Sequence, residues 1–181
     1  MKKISIFGAT GSIGQSTLKV IAKHPDLFQA NVLTAYKNVE QLAQDAKKFN
    51  ARYAVIADET LYKDLKSLLS GTDIIPMAGR DGVLDAASIK TDLTMAAIIG
   101  VAGLEPLMKS IQNSNVVAIA NKEPLVAAGE LVIETAQKSD CTILPVDSEH
   151  NAIFQVFEPE NKAAIERLIC LQGFHVRLGL L

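Results

Sequence analysis

Three glycines near the amino terminus have the spacing of a phosphate-binding turn. Gly8, Gly11 and Gly14 follow a short apolar run at residues 4–7, and a helical pattern begins within the same segment. Gly8 permits a sharp turn, Gly11 lets the backbone approach a pyrophosphate, and Gly14 lets the helix pack closely on the strand. The N–H groups and dipole at a helix N-terminus favour phosphate. The GxxGxxG segment therefore predicts a dinucleotide site, and a turn that merely connects strand and helix is the less favoured alternative.

The end of the second predicted strand discriminates between NAD and NADP. An NAD site usually places a carboxylate there, where it holds the ribose 2′-hydroxyl. In this sequence the strand ends at Tyr36 and is followed by Lys37 and Asn38, and none of these residues is acidic. The positive charge of Lys37 would attract a 2′-phosphate, whereas the alternative is an ordinary solvated lysine in a loop. The absent acid and the lysine together favour NADPH.

An amide, a cation and an acid follow the sixth predicted strand directly, as Asn121, Lys122 and Glu123. Ligands of open parallel sheets bind at the carboxyl ends of the strands, so these side chains are candidates for contacts with a nicotinamide ribose and a substrate anion. A helix start explains the same residues equally well, with Asn121 as its cap and Glu123 on the helix dipole. Both interpretations remain open from the motif alone.

A second acidic segment follows the seventh predicted strand. Asp147 and Glu149 are two residues apart in a turn, and their oxygens suit one Mg²⁺ or Mn²⁺ ion. His150 is a candidate third ligand, although a single histidine beside acids is more often a helix-start residue or a partner of a ligand. The alternative for the whole segment is an N-cap, in which Asp147 caps a helix that runs toward Phe157.

The elements that position these motifs alternate between strand and helix, which predicts βαβ units and a parallel sheet. We expect an α/β fold with a Rossmann-like, doubly wound, mostly parallel sheet. Asn38 and Asp58 are predicted helix caps. The predicted strands span residues 4–7, 30–36, 53–57, 73–77, 93–99, 116–120 and 141–144. The predicted helices span residues 12–23, 39–49, 59–70, 81–88, 104–112, 124–138 and 161–168.

Composition narrows the class of protein. The 181 residues include 18 basic and 20 acidic side chains and no tryptophan, so nucleic-acid and anionic-membrane binding have little support. The longest apolar run, residues 95–104, is interrupted by glycines and is about half the length that a membrane span requires. Cys141 and Cys170 lack metal-site spacing and predict reduced thiols. We expect a cytoplasmic protein.

Three segments in this order, residues 8–18, 120–123 and 144–155, strongly resemble 1-deoxy-D-xylulose 5-phosphate reductoisomerase, and the likeness extends from Met1 to about Ile169. The resemblance implies an NADPH-binding domain at residues 1–145, followed at residues 146–181 by the start of an incomplete catalytic domain. The implied reaction is the NADPH-dependent conversion of 1-deoxy-D-xylulose 5-phosphate, a sugar phosphate, to 2-C-methyl-D-erythritol 4-phosphate in isoprenoid precursor biosynthesis. A divalent metal, Mg²⁺ or Mn²⁺, would polarise the substrate carbonyl. The full-length family is expected to be homodimeric.

The resemblance also assigns roles to individual residues. The cofactor phosphates would be held by the glycine turn, and the 2′-phosphate would lie near the end of the second strand. The implied cofactor-binding residues are Thr10, Gly11, Ser12, Ile13, Lys37, Asn38, Asn121 and Glu123. The implied catalytic residues are Lys122 and Glu149; the implied substrate-binding residues are Lys122, Ser148 and Glu149; the implied metal ligands are Asp147 and Glu149.

The sequence departs from the family pattern in two places. Tyr36 occupies a position that is commonly glycine, which predicts an altered adenosine pocket. Residues 172–181 do not resemble the family's continuation, which contains a Ser-Gly-Gly segment, a third metal carboxylate, a lid and the substrate-phosphate site. We therefore expect a truncated form without turnover. The alternatives are a cofactor-binding remnant and, least favoured, another NADP-dependent dehydrogenase.

Overall fold

Seven parallel strands alternate with helices in the computed structural model, which describes residues 1–157 together with residues 160 and 167. The strands are β1 (Lys2–Phe7), β2 (Phe28–Ala35), β3 (Tyr53–Ile56), β4 (Ile75–Ala78), β5 (Thr91–Ala96), β6 (Ser114–Ile119) and β7 (Thr142–Pro145). The helices are α1 (Ser12–Lys23), α2 (Val39–Lys48), α3 (Tyr62–Leu68), α4 (Gly79–Ala87), α5 (Leu104–Ile111), α6 (Glu123–Lys138) and α7 (Ser148–Val156). Short 3₁₀ helices span Glu59–Leu61 and Val101–Gly103.

The strand order β4-β3-β2-β1-β5-β6-β7 confirms the predicted Rossmann-like α/β fold, with every pairing in the sheet parallel. The chain proceeds outward from β1 to β4 and then returns to place β5 on the other side of β1. Phe7, the last residue of β1, pairs with Thr34 and with Ala96 on the two neighbouring strands. The loops after these strands therefore start side by side at a topological switch point, where such sheets bind ligands.

The two faces of the sheet are buried by different helices. Ile6 points to the face covered by α1, α2 and α3, where it packs with buried residues such as Leu18 and Leu42. Phe7 points to the opposite face, where it packs with Val83 of α4. Farther along that face, buried residues of α5 and α6 pack against β6. Continuous apolar strand sequences follow from this arrangement, because both faces of a parallel sheet are covered.

Several element boundaries differ from those predicted. The helix expected after Asp58 is divided into a 3₁₀ helix and α3, and β5 ends at Ala96 rather than at residue 99. Helix α6 is kinked at Ala128, whose φ of −150° and ψ of 38° are not helical, immediately before Gly129. The helix predicted at residues 161–168 lies outside the described residues except for Arg167, and so does the segment at residues 172–181.

The outermost strands of the sheet share two features. β4 and β7 each have four residues, and each contains a proline, Pro76 in β4 and Pro145 in β7. Pro76 pairs with Ala54 and Pro145 pairs with Ile119, so each proline lies within its ladder. No helix in the part of the chain that the structure describes has the length and apolar character needed to cross a membrane.

Candidate functional site

The glycine turn after β1 is closed by backbone contacts that leave no space for two of its side-chain positions. Gly8 has a φ of +92°, and a Cβ atom there would lie 2.7 Å from the carbonyl oxygen of Ala97. A Cβ atom on Gly14 would lie 2.5 Å from the carbonyl oxygen of Ala9 and would also overlap the carbonyl oxygen of Gly8. Gly8 and Gly14 are therefore required by the packing of the chain on itself.

Gly11 is different, because its surroundings are open. A Cβ atom there would meet only the carbonyl oxygen of Gly8, at 3.4 Å, and Gly11 is exposed. Gly11 is the N-cap of α1, without a side-chain cap and without an acidic residue in the first turn. Thr10 and Ile13 are half-buried and Ser12 is exposed in the same turn. The N-terminal end of α1 is thus accessible to an anion from solvent.

The turn is anchored to β2 by one buried residue. Thr34 accepts a hydrogen bond through Oγ1 from the N–H of Gly8 at 3.0 Å, and its carbonyl oxygen accepts one from the N–H of Ala9 at 2.7 Å. Thr34 is 2% exposed, so water does not compete for these bonds. The position of the glycine turn is therefore set by β2, the strand that Lys37 closely follows.

Lys37 lies beside Asp58, an acidic residue that follows β3. Its side chain is 63% exposed, and Nζ lies 3.9 Å from Oδ2 of Asp58 and 5.2 Å from the ring centroid of Tyr36. Thr60 donates to Asp58 Oδ1 through its hydroxyl at 2.6 Å. This hydrogen bond, assisted by the charge of Lys37, holds the pKa of Asp58 below its usual value. No acid stands at the end of β2 itself, but the carboxylate of Asp58, which follows β3, lies close to Lys37.

Asn38 and Tyr36, on either side of Lys37, differ in how they are used. Asn38 caps α2, because its Oδ1 accepts a hydrogen bond from the N–H of Gln41 at 3.2 Å. The predicted cap is therefore confirmed. Tyr36 is 68% exposed, and it directly follows β2, the strand next to β1. The ring of Tyr36 therefore lies at the surface rather than in the core.

Asn121 links two strand ends instead of capping a helix. Its Nδ2 donates to the carbonyl oxygen of Ile98 at 2.9 Å, which joins the loop after β6 to the loop after β5. Lys122 occupies the N-cap of α6, without a side-chain cap, and Glu123 begins the first turn. The interpretation of Asn121 as the cap is therefore wrong, because the helix starts one residue later than that interpretation requires. Asn121 also lines a small, mostly apolar pocket together with Phe7 and Ile98.

The structure brings Lys122 and Glu149 together. Lys122 Nζ donates to Glu149 Oε1 at 3.0 Å, and Ser148 Oγ donates to Glu149 Oε2 at 2.9 Å. The bond from Lys122 is the main reason that the pKa of Glu149 falls to about 2, and the same contact raises the pKa of Lys122. Both groups are charged at neutral pH, and they join the segments that follow β6 and β7.

Asp147 combines a structural contact with an unsatisfied oxygen. Its Oδ1 accepts from the backbone N–H of His150 at 3.0 Å and contacts His150 Nδ1 at 2.7 Å, so the predicted N-cap of α7 is confirmed. Its Oδ2 is buried and has no hydrogen-bond partner among the described residues. A buried carboxylate oxygen without a partner is costly, and a cation would satisfy it. The cap therefore uses one oxygen of this side chain and leaves the other available to a cation.

The described residues do not form a complete metal site. Across residues 1–157, 160 and 167, no group of three or more histidine, cysteine, aspartate or glutamate side chains converges on one possible metal position. His150 directs Nδ1 to Asp147, which orients the carboxylate. Asp147 and the neighbouring Glu149 are the available carboxylates, so a bound ion would require further ligands from substrate, water or residues elsewhere.

The family model, a curated relative and the solved structures all point to the same family of proteins. The sequence model of a family described as 1-deoxy-D-xylulose 5-phosphate reductoisomerase matches residues 4–129. The chain is 49% identical over 168 residues to 1-deoxy-D-xylulose 5-phosphate reductoisomerase of Zymomonas mobilis. A solved structure of the enzyme from Zymomonas mobilis in complex with NADPH matches 88% of this chain with a TM-score of 0.85 and 50% identity. A crystal structure of DOX-P reductoisomerase in complex with magnesium matches 90% of it with a TM-score of 0.84 and 38% identity.

The likeness covers most of this chain but less than half of each relative. The match to the Zymomonas mobilis sequence includes 93% of this chain and 43% of the relative. The two solved structures are covered to 42% and 41% of their own lengths. The chain thus spans about 43% of the length of the curated relatives that it matches.

Proposed function

Because the chain belongs to the 1-deoxy-D-xylulose 5-phosphate reductoisomerase family, we propose that it binds NADPH and that the whole protein converts 1-deoxy-D-xylulose 5-phosphate to 2-C-methyl-D-erythritol 4-phosphate. The observation that carries the proposal is the accessible N-terminal end of α1 at the switch point of the sheet, where Gly11 leaves room for a ligand. This reaction would contribute to isoprenoid precursor biosynthesis. The solved relatives contain NADPH in one case and magnesium in another, which agrees with both parts of the site.

We assign the cofactor to residues 1–145 and the beginning of the catalytic domain to residues 146–181. The pyrophosphate would lie on Thr10, Gly11, Ser12 and Ile13. Lys37 and the amide of Asn38 would lie beside the 2′-phosphate, since they follow the strand next to β1. Asn121 and Glu123 would contact the nicotinamide half, because they follow β6, on the opposite side of β1 from Lys37.

The charged segments after β6 and β7 would hold the substrate. When bound, NADPH supplies a hydride and a divalent ion, Mg²⁺ or Mn²⁺, supplies Lewis-acid polarisation of the carbonyl. Asp147, through the Oδ2 atom that has no partner in the described part of the chain, and Glu149 would hold the ion. Lys122 presents an ammonium whose pKa is raised by Glu149, so it stays charged near substrate oxygens. Ser148 would contact the substrate through the lone pairs of its hydroxyl oxygen, because its single hydrogen is donated to Glu149.

The proposed setting follows from the same features. The proposed partner is a small sugar phosphate, as the family's name indicates. A nucleic-acid partner has little support, because basic and acidic side chains nearly balance at 18 and 20. We place the protein in the cytoplasm, in accord with the free, buried thiol of Cys141. For the whole protein we propose a homodimer, as for the family.

Nucleotide titration tests the cofactor assignment. We expect the 181-residue chain to quench or shift NADPH fluorescence on binding, and to bind NADPH more tightly than NADH. Equal affinity for both nucleotides would contradict the assignment of Lys37. A chain that binds neither nucleotide would contradict the proposed function of the glycine turn.

A cofactor-binding remnant without catalysis is the second candidate, and it is favoured by the lack of three convergent metal-ligating side chains among the described residues. Oxidation of NADPH in the presence of substrate and Mn²⁺ separates the candidates when it is measured with the chain alone and again with the missing part of a relative added. We expect no substrate-dependent oxidation by the chain alone. Oxidation that appears on addition of the remaining part of the Zymomonas mobilis enzyme would support the reductoisomerase function, and none in either case would support the remnant.

A further inference from the structure

Asp45 of α2 is a buried carboxylate without an assigned role. It is 5% exposed and lies between the core residues Leu42 and Ala46 on the inner side of α2. Both of its oxygens accept hydrogen bonds from glutamine side chains, one on α1 and one on α2. Resting on the NADPH binding proposed above, we infer that Asp45 is a positioning residue that holds the pyrophosphate turn and the 2′-phosphate segment in a fixed relation.

The first connection leads to the glycine turn. Gln15 Nε2 donates to Asp45 Oδ2 at 2.6 Å and to the carbonyl oxygen of Ala9 at 3.0 Å. An amide nitrogen has two hydrogens, and these contacts use both of them. The backbone N–H of Gln15 also donates to the carbonyl oxygen of Gly11 at 2.8 Å. The Gln15 side chain thus holds the turn where the pyrophosphate would bind.

The second connection leads to the start of α2. Gln41 Nε2 donates to Asp45 Oδ1 at 3.1 Å. The backbone N–H of Gln41 donates to Asn38 Oδ1 at 3.2 Å, and Asn38 follows Lys37 directly. The carboxylate therefore reaches, through one glutamine each, the two segments that would contact different phosphates of one ligand.

The chemistry of a carboxylate explains why aspartate suits this position. A carboxylate accepts but does not donate, so it directs the NH₂ group rather than the oxygen of Gln15 toward the Ala9 carbonyl. An amide at position 45 has its acceptor on one side only, so one of the two glutamines would have to reverse its own amide to keep a hydrogen bond. If stability alone were required, apolar side chains would fill this site without the desolvation cost of a buried charge. The retained charge is therefore best explained by the orientation that it imposes.

Affinities for two nucleotides distinguish positioning from simple stabilisation. NADPH and NADH share the pyrophosphate, but only NADPH has the 2′-phosphate. We expect Gln15→Leu to weaken both nucleotides by a similar factor, on the order of tenfold for a charge-assisted network. Gln41→Leu should weaken NADPH and leave NADH nearly unchanged. Asp45→Asn should weaken both and also reduce the NADPH preference.

The matched control is Gln44→Leu, which makes the same change at an exposed position on α2. Affinities are measured by fluorescence titration of the full chain, and urea unfolding is measured on every variant. Asp45→Asn nearly preserves side-chain volume, and Gln15 and Gln41 are only half-buried, so the two glutamine variants remain informative if Asp45→Asn prevents folding.

The outcomes are distinct. The expected pattern supports the inference, and variants that lose stability but keep both affinities overturn it. Equal loss of both nucleotides in Gln41→Leu would also overturn it, because the second connection would then not lead to the 2′-phosphate. If the unmodified chain binds neither nucleotide, the proposed function fails together with the inference. If it binds NADPH selectively and all variants match it, only the inference fails.

Discussion

Gly14 lies so close to Ala9 that a Cβ atom on Gly14 would stand 2.5 Å from the Ala9 carbonyl oxygen. The same carbonyl accepts the hydrogen bond from Gln15. The packing contact of Gly14 and the proposed pyrophosphate contact at Gly11 therefore belong to different residues of one turn. This separation makes it possible to disturb one without the other.

Alanine at Gly14 should mainly reduce stability, whereas alanine at Gly11 should mainly reduce NADPH affinity. Gly14→Ala should destabilise the fold by about 3 kcal/mol or more, because backbone atoms would have to move. Gly11→Ala should change stability by less than about 1 kcal/mol, since its φ of −79° suits alanine. Its methyl group should nevertheless lower NADPH affinity by about tenfold or more, because it occupies the approach of the pyrophosphate. Urea unfolding and fluorescence titration measure both effects, and unchanged affinity in Gly11→Ala would place the pyrophosphate elsewhere.

Removal of the Lys37 charge should erase most of the NADPH preference. We expect Lys37→Ala to lose about 1–3 kcal/mol of NADPH affinity, typical of one charge-assisted contact, and little NADH affinity. Lys63→Ala, which removes an exposed lysine from α3, is the control. A preference that survives Lys37→Ala would show that another group reads the 2′-phosphate.

Asp58→Asn should act in the opposite direction. The carboxylate lies 3.9 Å from Lys37 Nζ and would repel a 2′-phosphate bound there. Asparagine keeps an oxygen for the hydrogen bonds from Thr60 but removes the charge. We expect the NADPH-to-NADH affinity ratio to rise by about two- to fivefold at low salt and less at high salt. The exposed Asp64→Asn is the matched control, and a ratio that falls in Asp58→Asn would contradict this electrostatic account.

Metal binding by the chain should be weak and should depend on Asp147. The two acids supply only part of a six-coordinate shell, so Mn²⁺ affinity should improve when a chelating substrate analogue is added. Asp147→Asn keeps an oxygen for the helix cap and should abolish most of this binding, whereas Asp85→Asn on α4 should not. Water proton relaxation measures the bound Mn²⁺. Tight binding that persists after Asp147→Asn and Glu149→Gln together would locate the ion elsewhere.

The thiol of Cys141 should react only after unfolding. It is 8% exposed, and burial raises its pKa above the usual value. Because the thiolate is the reactive form, both effects slow alkylation. In a Cys170→Ser variant at pH of about 8, we expect labelling to be slow in the folded state and to accelerate sharply in urea. Rapid labelling without urea would show that the α6–β7 region opens in the native protein.

Alternation of strands and helices was sufficient to predict the sheet, because buried parallel strands are short, continuous apolar segments between helical patterns. The start of α1 at Ser12 and the caps Asn38 and Asp58 were also predicted, since local sequence determines those features. The kink at Ala128 was missed. Gly129 was a weak signal for it, but a single glycine inside a helical pattern is usually tolerated.

Contacts between distant segments could not be predicted in the same way. Asp58 reaches Lys37 only because β3 lies beside β2, and Asn121 reaches Ile98 only because β6 lies beside β5. Strand register determines such pairs, and hydrophobic periodicity does not specify register between strands of a fully buried sheet. The bond between Gln15 and Asp45 likewise depends on how two helices pack on one face.

The prolines of the outermost strands have a consequence for how copies of this chain meet in solution. An exposed strand edge is a template on which another chain can add by backbone pairing, the first step of many aggregates. β4 and β7 each offer four residues, and Pro76 and Pro145 each remove one N–H donor from that template. The seven-stranded sheet is therefore expected to be a poor seed for recruitment of further strands.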